Sequence, residues 1–293
     1  MTTVIPETAK PRVSEFRRVV RIMSRRWVVI GGVAVILMLI ITAVFAPVIA
    51  PYDPYAQDLN SRLSHPSRSH IFGTDELGRD LLARIIYGAR ISLLVGIVAV
   101  TIAGLIGIGL GLIAGYFGGW FNITIMRFTD ALLALPPLVL MLAIAAVLGG
   151  GLFNVLVALG VSMMPTYCRL MCGQVATLRE NEYVTAARAM GAGNRRIIVQ
   201  HLLPNAFPPL IVLLSVNLGT AIMMEATLSF LGIGIKPPVA TWGAMVASGY
   251  RFLLANPLMS FLPGCAILLV VLAFNMAGDG LRDALDPRLR GKI

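Results

Sequence analysis

Three residues separate Cys168 from Cys172, a spacing that places two thiols on one face of a helix, where both could hold a metal ion. A tetrahedral centre needs more ligands, and His65, His70 and His201 lie far from the pair in the sequence. Cys168, Cys172 and Cys265 sit in or beside apolar stretches, so buried thiols are the expectation, and three cysteines build no disulfide framework. Gly109 to Ala114 matches the dinucleotide pattern G-x-G-x-x-A, with Asp130 near the acidic offset. That pattern needs a strand before it, whereas these glycines lie within a 25-residue apolar run, Ile91 to Gly115. Gly107, Gly111 and Gly115 fall four apart on one helix face, where they let a second helix approach closely. A P-loop is also missing. It requires Gly-Lys-Ser/Thr, and the three lysines are Lys10, Lys236 and Lys292, with Gly291-Lys292 followed by Ile293.

The chain that carries these residues has 293 positions, 57% apolar and 13% charged. A soluble domain carries roughly 25% charged residues. So apolar a chain is no ordinary soluble enzyme, disordered segment or secreted disulfide scaffold, and reads as an integral membrane protein. A bilayer core about 30 Å thick needs about 20 apolar residues in a helix. Six stretches qualify: Trp27 to Ala46, Ile91 to Gly115, residues 131–148 broken by Pro136 and Pro137, residues 152–168, residues 207–233 and Pro257 to Ala277. The basic leader before Trp27 resembles a signal peptide, but the first run exceeds a cleaved core of roughly 7–15 residues, so an uncleaved span is expected. The expected fold is all-α with six transmembrane helices. Its segments are a basic tail 1–26, a first transmembrane helix 27–50, an external loop 51–90, a five-helix core 91–280 and a tail 281–293.

The net charge of +10 invites a nucleic-acid reading, but its distribution favours a membrane orientation. With the N-terminus inside, seventeen of the 24 lysines and arginines fall in cytoplasmic segments. The positive-inside rule then places both termini in the cytoplasm and leaves lipid, with no nucleic acid, as the partner of the charge. In the external loop, Leu77, Leu81, Leu82, Ile85 and Ile86 share a helical face, which predicts an amphipathic helix lying on the outer interface or against the bundle. The internal segment 170–206 predicts a helical elbow. Its first helix runs from near Thr177 to Met190 and ends at Gly191; Asn194 caps the second, which Pro204 stops. Glu225 is the one acid well inside a span, so it is expected to face the pathway or a partner, with Asn217 two turns earlier on the same face.

At the elbow the sequence resembles the permease subunits of binding-protein-dependent ABC importers, whose signature is E-A-A, three residues, G, nine residues, I-x-L-P. Here it reads Thr185-Ala186-Ala187, Gly191, then His201-Leu202-Leu203-Pro204, with Thr185 in place of the glutamate and His201 in place of the isoleucine. Glu182 lies one turn before Thr185. Gly73-Thr74-Asp75-x-x-Gly78-Arg79-Asp80, Gly88 to Leu93, Trp242-Gly243 and Leu272 to Pro287 narrow the resemblance to the C-type permeases of dipeptide, oligopeptide and nickel importers. What the resemblance implies is a type I importer half in a bacterial or archaeal inner membrane. Its first span is an appendage, and the other five pack against a sister B-type permease. Two ATP-binding subunits, which hold ATP and Mg, dock below, and an external binding protein delivers the solute. The chain itself would bind no cofactor and catalyse nothing. An intramembrane aspartyl protease is the rival from another class. Tyr52-Asp53 and Gly278-Asp279 loosely echo it, but this topology sets them on opposite faces, and Met276 stands where Gly-x-Gly-Asp needs its first glycine. A passive channel leaves the long elbow unexplained.

Overall fold

Long apolar runs leave the backbone no water to bond with, so the chain satisfies itself as helix after helix. The computed structural model describes residues 23–24 and 26–285; most of the basic tail and the segment beyond Leu285, including Gly291-Lys292, lie outside the described residues. In order come α1 (Trp27–Val44), α2 (Ala46–Ile49), α3 (Leu81–Phe117), α4 (Gly119–Leu133), α5 (Pro137–Leu148), α6 (Leu152–Leu178), α7 (Glu182–Ala189), α8 (Asn194–Phe230), α9 (Trp242–Tyr250) and α10 (Leu258–Leu285). Five of these are long and apolar enough to cross a bilayer. A sixth span forms if α4 and α5, bent by 89° across their break, are counted together.

The centre of the bundle is the pair α3 and α6. A Cβ on Gly107 would lie 2.5 Å from the Met164 carbonyl oxygen, one on Gly115 would lie 2.7 Å from that of Cys172, and one on Gly111 would strike that of Cys168. Glycines four apart on α3 thus meet carbonyls four apart on α6, which is the close helix approach their spacing predicts. α8 and α10 complete the core. α1 lies outermost: it packs on α10, where a Cβ on Gly32 would sit 2.8 Å from Met276 Cβ. Arg26 at its start forms an ion pair with Asp283. Trp242 wedges between elements, its indole N–H donating to the Ile85 carbonyl at 3.0 Å and its ring filling the space that Gly88 leaves open.

Five local expectations are corrected. The amphipathic stretch Leu81 to Ile86 is no separate surface helix; it forms the first turns of α3, a single helix of 37 residues. α6 does not end at Cys168 but runs on to Leu178, because Arg169 finds a partner in Asp130 beside it. α7 accordingly starts at Glu182. Asn194 does not cap α8: Gly193 holds that position, and the Asn194 side chain accepts a hydrogen bond from Tyr116 Oη at 2.6 Å instead. Pro204 does not stop α8 either. A π-helical turn over Ile197–Leu202 shifts the bonding frame, and Pro204 falls in the first turn of the α-helix that resumes at Leu203, where its missing N–H costs nothing.

Candidate functional site

The elbow is built by anchoring one face and leaving the other open. Val184 and Ile197 are fully buried and Ala187 nearly so, and Val184, Ile197 and Leu202 join the core cluster that holds Tyr116, Tyr167 and Val175. Glu182, Thr185, Ala186 and Gly191 are exposed, as is Met190 at 82%. Gly191 takes φ +84°, a left-handed turn that suits glycine and ends α7 tightly. His201 and Leu203 are half-buried and Pro204 exposed, and the His201 ring lies 6.4 Å from that of Tyr183. The elbow residues therefore gather on one projection, with Ala186 and Gly191 outward beside the long Met190 side chain and Ala187 turned inward.

Contacts that the sequence did not reveal tie this projection to α3. Arg179 Nη1 donates to the Gly115 and Tyr116 carbonyls at 3.2 and 3.3 Å, satisfying groups that a helix end leaves open. The Arg188 guanidinium lies 5.6 Å from the Tyr116 ring centroid, and Tyr116 reaches Asn194. Tyr116, at the end of the glycine-rich helix, was the available signal. Three elbow residues thus grip the last turn of α3.

The other end of α3 carries the Gly73 to Asp80 motif, where the side chains of Thr74, Asp75, Arg79 and Asp80 are all partnered, while Glu76 Oε2 is buried without a hydrogen bond. Asp75 accepts from Arg79 Nε at 2.6 Å and from the backbone N–H groups of Leu77 and Arg79 at 2.9 and 3.0 Å, and Arg84 Nε lies 3.4 Å away. Asp80 caps α3 through the Ala83 N–H at 2.8 Å and holds His70 Nδ1 at 2.9 Å. Thr74 accepts from the Ser64 N–H and donates to the Ser61 carbonyl. Gly73 and Gly78 have positive φ, and a Cβ on either would strike the backbone, of Ser64 and Asp58 respectively. Asp58 itself is held below the usual carboxylate range by the Ser61 hydroxyl and the Asn60 N–H. The loop is a folded knot, with Arg79, Asp75 and Asp80 all buried.

The remaining sequence candidates turn inward. Glu225 is fully buried within this chain; its Oε1 accepts from the Ser229 hydroxyl at 2.7 Å and its Oε2 has no partner. Asn217 donates to the buried Tyr167 hydroxyl at 2.8 Å. The two do not share one set of contacts. Cys168 and Cys172 accept from Thr129 Oγ1 at 3.6 Å and Asn122 Nδ2 at 3.2 Å, and among the described residues no cluster of His, Cys, Asp and Glu could hold a metal ion.

Two family models match this chain. Residues 107–291 match the binding-protein-dependent transport system inner membrane component, and residues 14–66 match the N-terminal transmembrane domain of oligopeptide transport permease C. The chain belongs to the binding-protein-dependent transport permeases. The permease is 44% identical to the dipeptide transport system permease protein DppC of Alkalihalophilus pseudofirmus, over 97% of this chain and 94% of that protein. It is 45% identical to the probable D,D-dipeptide transport system permease protein DdpC of Escherichia coli K12, over 90% and 88%. Against the glutathione transport system permease protein GsiD of Escherichia coli O6, identity is 40% over 99% and 95%. Among solved structures, the inward-facing MetNI methionine ABC transporter shares the fold, with a TM-score of 0.55 at 20% identity, covering 70% of this chain and 98% of that one. The permease is a multi-pass membrane protein of the ABC transporter class.

Proposed function

We propose that the permease is the C-type subunit of an ATP-driven importer of di- or oligopeptides, forming half of the pathway beside a sister B-type permease. The observation that carries this reading is the elbow. A projection that exposes Thr185, Ala186, Met190 and Gly191, gripped to the end of α3, suits a socket on an ATP-binding subunit. ATP and Mg reside on two such partners, and this chain is non-catalytic; an external binding protein supplies the solute. In this reading the elbow end and both termini face the cytoplasm of a bacterial or archaeal cell, which the arginine distribution supports. Movement of the docked partner then shifts α3 and the helices fixed to it as rigid parts, opening one side or the other. The peptide assignment rests on the named substrates of the relatives, two of which carry dipeptides in their names.

The test is to purify the permease with the permease and ATPase subunits encoded beside it and to measure peptide-stimulated ATP hydrolysis. Ala186 is exposed and makes no core contact, so Ala186→Trp is expected to leave the chain folded while fouling the socket. The expected result is loss of the co-purifying ATPase, at least about tenfold, as for a bulky block at the centre of an interface. A variant that keeps its ATPase partner and full transport would overturn docking at the elbow. Uptake competition among dipeptides, longer peptides and glutathione decides the substrate.

A further inference from the structure

Two features that lipid cannot solvate lie side by side on the outside of this chain. The first is an ion pair: Arg169 Nη2 meets Asp130 Oδ1 at 2.5 Å, with the two side chains 57% and 50% exposed. The second is the break between α4 and α5, where Leu135 and Pro136 are exposed and the backbone leaves the helix. Pro136 and Pro137 offer no N–H to the carbonyls that α4 leaves open at its end.

The pair lies level with the apolar run of α3, and the break follows Asp130 by five residues. Arg169 follows Cys168, whose carbonyl packs on Gly111 within the apolar run of α3. About 14 Å of helix, at about 1.5 Å per residue, separates it from Leu178 at the end of α6. Thr129, next to Asp130, is fully buried against Cys168, so α4 is pinned to α6 at this level and the exposed side of the pair is fixed. Charged side chains at such a depth face protein or a water-filled cavity, and the same holds for irregular backbone. The outer surface of α1 differs: its exposed positions, among them Leu37, Met38 and Ile41, are apolar, and α1 carries no ionisable residue.

We propose that the Asp130–Arg169 pair and the break at Leu135 and Pro136 form part of the wall of the aqueous translocation pathway. This rests on the importer reading above and goes beyond it by assigning the wall to named residues. The α1 face, by contrast, meets lipid. Glu225, the acid that sequence reasoning offered for this role, is sealed inside the chain.

The test uses the assembled, transport-competent complex in membranes. Leu135→Cys and, as the lipid-facing control, Leu37→Cys are treated with a charged, membrane-impermeant methanethiosulfonate from the elbow side, and labelling is read above that of the parent chain. Leu135→Cys is expected to react at least about tenfold faster than Leu37→Cys, because ionised reagents and the reactive thiolate both need water. Labelling is also expected to stop uptake. Reaction of Leu135→Cys below that margin, in a complex that still hydrolyses ATP and transports, would overturn the proposal: the break would then face lipid or be covered by the sister subunit. Failure of the importer reading itself looks different, since no ATPase would assemble with the parent chain.

Discussion

Asp75→Ala is expected to destabilise the permease by about 3–5 kcal/mol, the usual effect of removing one partner from a buried ion pair. The side chain is 4% exposed and receives Arg79 and Arg84, both near 7%. Alanine would leave two buried guanidinium groups facing one another without the anion between them. Arg79 would keep only Glu76, 3.3 Å away, and Arg84 only the Pro54 carbonyl at 3.1 Å. The N–H groups of Leu77 and Arg79 would lose their acceptor as well. Asp75→Asn, which keeps an acceptor oxygen, is expected to lose less. Thermal unfolding of the detergent-purified chain checks this: both melting temperatures fall, alanine's further. An unchanged melting temperature for Asp75→Ala would sink the idea that the knot depends on this carboxylate.

Gly111→Leu is the second large effect. Overpacking a tight core costs typically about 1–3 kcal/mol, and more where the obstacle is backbone that cannot turn aside. At Gly111 the obstacle is the Cys168 carbonyl, with Met171 Cβ 2.8 Å from the ideal Cβ position. The two central helices would have to separate, so about 3 kcal/mol or more is expected, seen as loss of accumulated folded protein. Gly109, two residues earlier, has nothing within 4 Å of the place a Cβ would take, and Gly109→Leu is expected to accumulate like the parent. Equal behaviour of the two variants would contradict a glycine-dependent seam.

What was legible in the sequence was what depends on near neighbours. Glycines four apart in an apolar run announced a close helix contact on α3, though not that α6 makes it, and Pro136-Pro137 announced the break. The elbow followed from Gly191 and the apolar positions around it. Features that depend on distant partners stayed hidden. Arg169 read as the watery end of a span because Asp130, which neutralises it, lies 39 positions earlier. Pro204 read as a stop because only tertiary packing supports the π turn before it. The Gly73 to Asp80 motif was visible as a set of special residues, yet its closure needs the Ser61 and Ser64 backbone and, at 3.4 Å, an Asn256 amide from the far end of the chain. Glu225 drew attention by its charge alone, and its immediate partner, Ser229, was one turn away and unremarked.

The seam of three glycines against three carbonyls also limits how the molecule can move. Because its teeth recur every four residues, sliding α3 along α6 would mean jumping a whole notch of about 6 Å, with every intermediate position a clash. The contact behaves as a detent: engaged or disengaged, never partway. α3 and α6 must then travel as one strut from the buried carboxylates of the loop knot to the elbow, and compliance is left to the unwound stretch at Leu135 and Pro136. Changes that tune transport speed are expected to gather at that stretch, while the strut stays fixed whatever solute the permease carries.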